Sequence, residues 1–340
     1  MNWKLVGRRD RSRDPLGHPY QNPGRGTCPP VPPARRSNHV DYTAIGRKIV
    51  QMRKALGFTQ KELAKGICTQ ALISRIEKGD IYPNASTLYE IANKLGVNLN
   101  YFLEVGSTPR IDYIEEVEKQ LTRLRKGLEY EEMMEIVRVE EKNPLFHTNP
   151  SHLQLLYWHK GIYEKEVENQ GDKSFKTLIH ALNLTGNEKK ALSEREMEIL
   201  LSMGVIKFSL EQYEEALTLY SRVQHRLKTH PHLNDIRIHT KLLYNIARVQ
   251  TRLGNYEESL QSCHAGIKWC LEHESMYLLG EFHYQIGYIL ELQNDLETAL
   301  QYYKKSNIIF ELLEDNKYLP LILKKISKMQ ELIETECPRP

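Results

Sequence analysis

Thr59-Gln-Lys-Glu62-Leu63-Ala64-Lys-Gly66-Ile-Cys68-Thr69-Gln70-Ala71-Leu72-Ile73-Ser74-Arg75-Ile76-Glu77-Lys-Gly79 is the stretch that decides the front of this 340-residue chain. Thr59 is an N-cap, and Glu62 three residues later completes a capping box. The short helix that follows buries Leu63 and Ala64. Gly66 ends it, because a left-handed turn costs glycine little. Thr69 caps a second helix with Leu72, Ile73 and Ile76 facing inward. Gln70, Ala71 and Arg75 are left pointing outward. Two short helices at a steep angle, with polar side chains at the start of the second, suit the major groove of DNA.

The pattern extends in both directions. Before it, Ile45, Ile49, Met52 and Leu56 recur at helical spacing. After it, Pro83 precedes a helix carrying Leu88, Ile91, Ala92 and Leu95. Gly96 closes that helix, and Val97 to Phe102 begin a fifth. The order resembles the helix-turn-helix of phage repressors over residues 42–104, through Ile45-Gly46, Arg53, Thr59-Gln60, Leu63-Ala64, Ile73 to Glu77, Gly79, Pro83, Leu88 and Leu95-Gly96-Val97. That resemblance implies a DNA-binding set of Gln60, Thr69, Gln70, Ala71, Ser74 and Arg75. Gln70, Ala71 and Arg75 would face base edges, while Gln60 and Ser74 would meet phosphates. It also implies that Arg53 and Glu77, each set among apolar positions, form a salt bridge.

The rear of the chain repeats itself. Tyr213-Glu-Glu-Ala216-Leu, Tyr256-Glu-Glu-Ser259-Leu and Leu296-Glu-Thr-Ala299-Leu share one pattern. Twelve residues before each small residue stands another: Gly204, Ala247 and Gly287. Four residues after it stands a filler: Tyr220, Cys263 and Tyr303. This is a tetratricopeptide-like pattern of paired antiparallel helices packed where small residues let backbones approach. Weaker copies begin at Tyr130 and Phe175. About five helix pairs are expected over 112–314, with a last helix over 317–335. The spacing, 43 then 40 residues, exceeds the tetratricopeptide period of about 34.

Such pairs stack into a superhelix whose inner wall is lined by the first helix of each pair. The expected wall carries Leu201 and Val205, then Lys241, Tyr244, Asn245 and Arg248, then Gln285 and Tyr288. An apolar floor beside amides and cations suits an extended peptide. Asn245 and Gln285 would hold its backbone, Lys241 or Arg248 a carboxylate, and Leu201 and Val205 an apolar side chain.

The expected fold is therefore all-α: a five-helix helix-turn-helix domain over 41–104, then a right-handed superhelix of tetratricopeptide-like pairs over 112–335. Residues 105–124 form a linker region, with Gly106 and Pro109 as its hinge. Residues 1–40 are rich in Arg and Pro and lack any helical or strand period, so they cannot bury enough surface to offset ordering. They are expected to be a disordered, basic upstream extension; the alternative is an arm that follows DNA phosphates. Charge divides the chain as the domains do, with +6 in residues 1–40, +3 in 41–104 and −6 in the remainder. Only the front is suited to nucleic acid.

Other chemistry finds little support. No apolar run reaches the ~18–20 residues needed to span a membrane, and no apolar leader core is visible. The five cysteines, 28, 68, 263, 270 and 337, are odd in number and scattered, which fits a reducing cytoplasm. Cys263 and Cys270 read as core fillers, with redox sensing as the alternative; Cys68 sits in the turn before the reading helix. His225, His230, His232 and His239 lack an acid or thiol at ligand spacing, so no metal is expected. No phosphate loop, nucleophile elbow or acid–base pair is present. No cofactor and no enzymatic activity are expected.

A helix-turn-helix followed by about five such repeats, over residues 42–335, resembles the PlcR-type peptide-sensing transcription regulators of the RRNPP quorum-sensing family. The resemblance implies a cytoplasmic homodimer on palindromic promoter DNA, and a short re-imported signalling peptide in the repeat groove that controls DNA binding. Two alternatives stay open on the residues: repeats that bind a response regulator, and repeats that dock another folded partner.

Overall fold

A computed structural model describes residues 41–107, 111–186, 191–229, 233–315 and 318–336. The expectations for residues 1–40, Pro109, His230 and His232 lie outside them. Among the described residues there are seventeen helices and no strand. No helix among them is long and apolar enough to cross a membrane.

The front holds α1 (Tyr42–Ala55), α2 (Gln60–Ala64), α3 (Gln70–Lys78), α4 (Ala85–Lys94) and α5 (Leu99–Ser107). Their limits follow local chemistry. Asp41 caps α1, Thr59 and Glu62 form the complete capping box of α2, and Thr69 and Asn84 cap α3 and α4. Gly66, Gly79 and Gly96 take positive φ at the helix ends, as their spacing in the sequence suggests. Ile45, Ile49, Leu63, Ile73, Ile76, Leu88, Ile91 and Phe102 are fully or almost fully buried between these helices. The amide of Asp41 donates to Gly106 O at 2.6 Å, joining the start of α1 to the end of α5.

Behind them come α6 (Ile111–Gly127), α7 (Tyr130–Glu140), the short α8 (Pro144–His147), and then α9 (Pro150–Glu166) with α10 (Gly171–Thr185). Three further pairs follow: α11 (Glu194–Ser209) with α12 (Tyr213–Thr229), α13 (Arg237–Arg252) with α14 (Tyr256–Glu272), and α15 (Leu279–Leu292) with α16 (Leu296–Leu312). α17 (Leu319–Glu336) packs on α16 and ends the stack. The second helices begin at Tyr213, Tyr256 and Leu296, where the repeated motifs begin.

Small residues set the closeness of each pair. A Cβ added at Gly204 would lie 2.2 Å from the Tyr220 ring, and one at Gly287 would lie 3.0 Å from the Tyr303 ring. In the middle pair, Ser259, at the position of Ala216 and Ala299 in the flanking pairs, donates from Oγ to Ala247 O at 2.7 Å. α6 buries Ile114, Val117, Leu121 and Leu124 in the same core as α7, α9, α10 and α11. Cys263 and Cys270 are fully buried free thiols, and burial pushes them up to about 12 and about 11. Both fill the core as expected and are poor nucleophiles there.

Candidate DNA-reading face and repeat groove

The outward face of α3 is fixed from behind. Arg53 on α1 meets Glu77 on α3 in a bidentate pair, Nε to Oε1 at 2.5 Å and Nη2 to Oε2 at 3.0 Å. Both residues are 8 % exposed. The Arg53 Nη1 donates to Phe58 O at 2.7 Å, which also ties in the turn before α2. The hydrogen bond to Glu77 holds the Arg53 guanidinium above its ordinary pKa. This is the pair expected from the sequence, and it orients α3 without using any residue of its outer face.

On that face Thr69, Gln70, Ala71 and Arg75 are exposed, and Ser74 is half-buried. Thr69 Oγ1 accepts from Leu72 N at 3.2 Å, so its hydroxyl is engaged in capping. Gln60 differs from expectation. It is half-buried, and its Nε2 donates to Glu77 Oε2 at 2.8 Å. The amide steadies the buried carboxylate first and has at most its second N–H for a phosphate. Exposed Lys61, Lys65 and Lys78 flank this surface.

The repeat register aligns three helices of the rear domain. Counting from Gly204, Ala247 and Gly287 puts Glu198, Lys241 and Glu281 six residues before, Ser202, Asn245 and Gln285 two before, and Val205, Arg248 and Tyr288 one after. The expected wall residues separate once their partners are known. Leu201 is 2 % exposed and belongs to the central core, so it cannot receive a ligand side chain. α11 is apolar on nearly every side, with Met197, Ile199, Leu200, Met203 and Ile206 also buried, and periodicity alone could not separate wall from core. Val205 is half-buried and lines a cavity of about 220 Å³.

Lys241 is already paired with Glu198, Nζ to Oε1 at 2.5 Å, while burial holds its ammonium below the usual lysine range. Its expected role as a carboxylate anchor is therefore corrected: a carboxylate is already there. Gln285 is likewise occupied. Its Nε2 donates to Thr251 Oγ1 at 2.7 Å, inside a buried network with Ser259 and Ala247 O that joins α13, α14 and α15. Tyr288 lies under Lys325 of α17, 5.5 Å from ammonium to ring centre, at the closed end of the stack.

Arg248 and Asn245 keep the properties expected of ligand-binding groups. The Arg248 guanidinium lies 4.4 Å from the Phe208 ring centre and 5.7 Å from that of Tyr244, and among the described residues no carboxylate pairs with it. Asn245, 9 % exposed, has no hydrogen-bond partner among the described residues. Tyr244 packs edge-on to Phe282, ring centres 5.7 Å apart, and burial pushes its phenol well up.

One wall residue was missed in the sequence. Arg125, on α6, lines the 220 Å³ cavity with Tyr130, Lys165, Glu166, Ser202 and Val205. Its guanidinium stacks 4.8 Å from the Trp158 ring centre, and its buried Nε has no hydrogen-bond partner among the described residues. Its charge also reaches Lys241 and Tyr277. The signal was present, because Arg125 stands four residues after Leu121 at the edge of the buried stripe of α6. Reading α6 only as a linker hid it.

The comparisons with known proteins agree with this architecture. The RNPP family C-terminal domain matches residues 118–330, and a helix-turn-helix family matches residues 49–102. No curated protein matches the sequence closely enough to count as a relative. Bacillus thuringiensis PlcR, solved in complex with the peptide PapR7 and DNA, is 27% identical with a TM-score of 0.73, covering 82% of this chain and 99% of that one. ComR from S. thermophilus, solved with DNA and its signalling peptide ComS, is 16% identical with a TM-score of 0.60, covering 84% and 99%. The Streptococcus dysgalactiae SHP pheromone receptor Rgg2 is 13% identical with a TM-score of 0.56, again covering 84% and 99%. At such identities the last two show the fold alone. The RNPP match spans well over half of the sequence and the helix-turn-helix match lies in front of it, so the chain belongs to the RNPP family of peptide-sensing helix-turn-helix regulators, a family of transcription regulators and not of enzymes.

Proposed function

We propose that this protein binds promoter DNA as a homodimer through the exposed start of α3, and that a short signalling peptide in the repeat groove controls that binding. The observation that carries the reading is the division of labour on α3. Its inner face is locked by the Arg53–Glu77 pair, and its outer face presents Gln70, Ala71 and Arg75 to solvent. A helix rigid behind and polar in front is suited to the major groove, where glutamine pairs with adenine and arginine with guanine. Two readers held one helical turn apart, about 34 Å, would match a palindromic site. The groove supports the second half of the reading through Asn245, which has no hydrogen-bond partner among the described residues, and through Arg248 and Arg125, which stack on aromatic rings with no carboxylate paired to them among those residues. PlcR, similar over nearly its whole length, was solved with a peptide and DNA together. The reading places the protein in the cytoplasm, where promoter DNA lies.

The test begins with a duplex selected by the wild-type protein from a randomised library. Gln70→Ala is expected to weaken binding by about 1–3 kcal/mol and to relax one base position. Unchanged affinity and unchanged base preference in a gel-shift titration would remove Gln70 from the interface.

A further inference from the structure

The cavity of about 220 Å³ beside α6 has a floor and a rim of different chemistry. Ile162 of α9, Leu178 of α10, and Val205 and Ile206 of α11 make the floor apolar. The hydroxyls on that floor are already spent. Ser174 Oγ donates to Gly161 O at 2.6 Å. Ser202 Oγ donates to Glu198 O at 2.9 Å and accepts from Trp158 Nε1 at 3.1 Å. Such a floor offers water few bonds and gives an apolar side chain good contact. The rim is the reverse. Arg125, Lys165 and Glu166 stand on it, and among the described residues none of the three is in an ion pair. Two cations against one carboxylate leave the rim positive.

A cation in the last turn of a helix ordinarily needs no explanation, since the helix dipole favours it there. That accounts for Arg125 being basic, at the end of α6, but not for where its guanidinium lies. It lies over the Trp158 ring, 4.8 Å from its centre, with Nε buried and unbonded among the described residues. The bond from Trp158 to Ser202 fixes the ring beneath it. A planar cation held on a fixed ring, with no carboxylate of its own, is ready to take one from a ligand. Arg125, Tyr130, Ile162 and Val205 are each half-buried, so the cavity reaches the surface. Ile162 follows Gly161 as Val205 follows Gly204, which puts the cavity at the α6 end of the wall row that continues to Arg248.

We infer that this cavity is a specificity pocket of the peptide groove, taking one apolar side chain on its floor and a carboxylate beside that side chain on Arg125. The inference rests on the peptide-sensing reading given above. A C-terminal apolar residue carries both groups on one Cα. An Asp or Glu next to an apolar residue is the other source of the same chemistry. Val205 then sets the size of the side chain accepted, because it is a floor residue that is half-buried and belongs to the wall row. Arg125 sets the charge, and through it the ligand touches α6, the helix that follows the front domain.

The experiment is affinity selection on the full-length protein with a synthetic random heptapeptide library, as free acids and as C-terminal amides, read by mass spectrometry. Wild type is expected to retain peptides with an apolar residue and a carboxylate side by side. If the carboxylate is the C terminus, amidation lowers retention by wild type about tenfold or more and leaves R125M unchanged. If it is a side chain, Asp or Glu beside the apolar residue stays enriched among the amides in wild type and is lost in R125M. V205F, which fills the floor, should move the apolar preference to smaller residues, and V205A should move it to larger ones. A circular dichroism melt shows whether R125M and V205F are folded; R125Q and V205A serve if either is not, and R125K should keep the preference for an acid. Retained peptides with the same preferences in wild type and in the Arg125 and Val205 variants overturn the pocket while leaving peptide sensing standing. A change in only one of the two preferences overturns it as well, since both groups must enter one cavity. A wild-type protein that retains no peptide at all overturns both readings.

Discussion

His159 on α9 is fully buried, with Nδ1 2.9 Å from Leu155 O and Nε2 lacking a hydrogen-bond partner among the described residues. Burial, opposed in part by the bond to Leu155, brings its pKa down to about 3. The folded protein therefore refuses a proton that the unfolded chain accepts near 6.5. For such a base the contribution is complete above 6.5 and is lost as pH falls below it. The loss is about 2 kcal/mol at pH 5. Burial also lowers His152, His239 and His283, so the slope adds to theirs. His159→Leu is expected to flatten part of this slope and to be near neutral at pH 7.5, because it removes an unsatisfied buried nitrogen. Urea melts at pH 7.5 and 5 check both points, and an equal pH sensitivity in the variant would refute the assignment. Arg53 shows the opposite economy, in which a buried charge is tolerated because every partner is present. Arg53→Met should loosen the front domain by about 3 kcal/mol or more, since Glu77 would keep only Gln60. Hydrogen exchange along α3 measures it, and unchanged protection would contradict it. This pair was legible in the sequence through the resemblance to phage repressors, which implied a salt bridge between two charges set among apolar positions. Leu201 was not, because a helix apolar all round gives no inner and outer face to read.

At the scale of elements, sequence spacing recovered the helices through their punctuation. Thr59, Glu62 and Thr69 marked the starts of α2 and α3, Gly66 and Gly96 the ends of α2 and α4, and repeated motifs gave the starts of α12, α14 and α16. What spacing could not supply was which side-chain bonds the packing would consume. Gln285 and Lys241 stood in plausible binding positions but were spent on Thr251 and Glu198. Close approach between helices is where a small change should matter most. Gly46 on α1 faces the end of α3 so tightly that an added Cβ would lie 2.4 Å from Ile76 O and 2.7 Å from Glu77 O. Those neighbours are backbone, so no rotamer change relieves the contact. Gly46→Ala should push α1 from α3, strain the Arg53–Glu77 pair and destabilise the front domain by about 1–3 kcal/mol. DNA affinity should fall with it although Gly46 reaches no DNA. A thermal melt together with a gel shift reads both, and a variant as stable as wild type would show that α1 can shift at no cost.

At the scale of the whole molecule, a ligand in the repeats can affect DNA binding only by preferring one arrangement of the chain over another. α6 is the element placed to carry that preference. It follows the front domain, buries its apolar stripe in the repeat core, and ends with Arg125 in the groove. Arg195 of α11 meets Glu118 of α6 at 2.5 Å and Ser151 O at 2.7 Å, so α6 is also tied to α9 and α11. A change of pitch between helix pairs would move these ties together. Asn245 stands at the middle of the proposed ligand wall with both ends of its amide uncommitted among the described residues, whereas its counterparts Ser202 and Gln285 are bonded. Asn245→Ala is therefore expected to remove a donor and an acceptor for a peptide backbone without disturbing any bond within the protein. The loss should be about 1–3 kcal/mol, or tenfold to a hundredfold in peptide affinity. The response of DNA binding to peptide should disappear at concentrations that saturate wild type, while DNA affinity in the absence of peptide changes little. Calorimetry with a peptide retained by the wild-type protein decides the matter. Tight binding by the Asn245→Ala protein would mean that the backbone of the ligand lies elsewhere in the superhelix, and would transfer the anchoring role to Arg125 and the cavity beside α6.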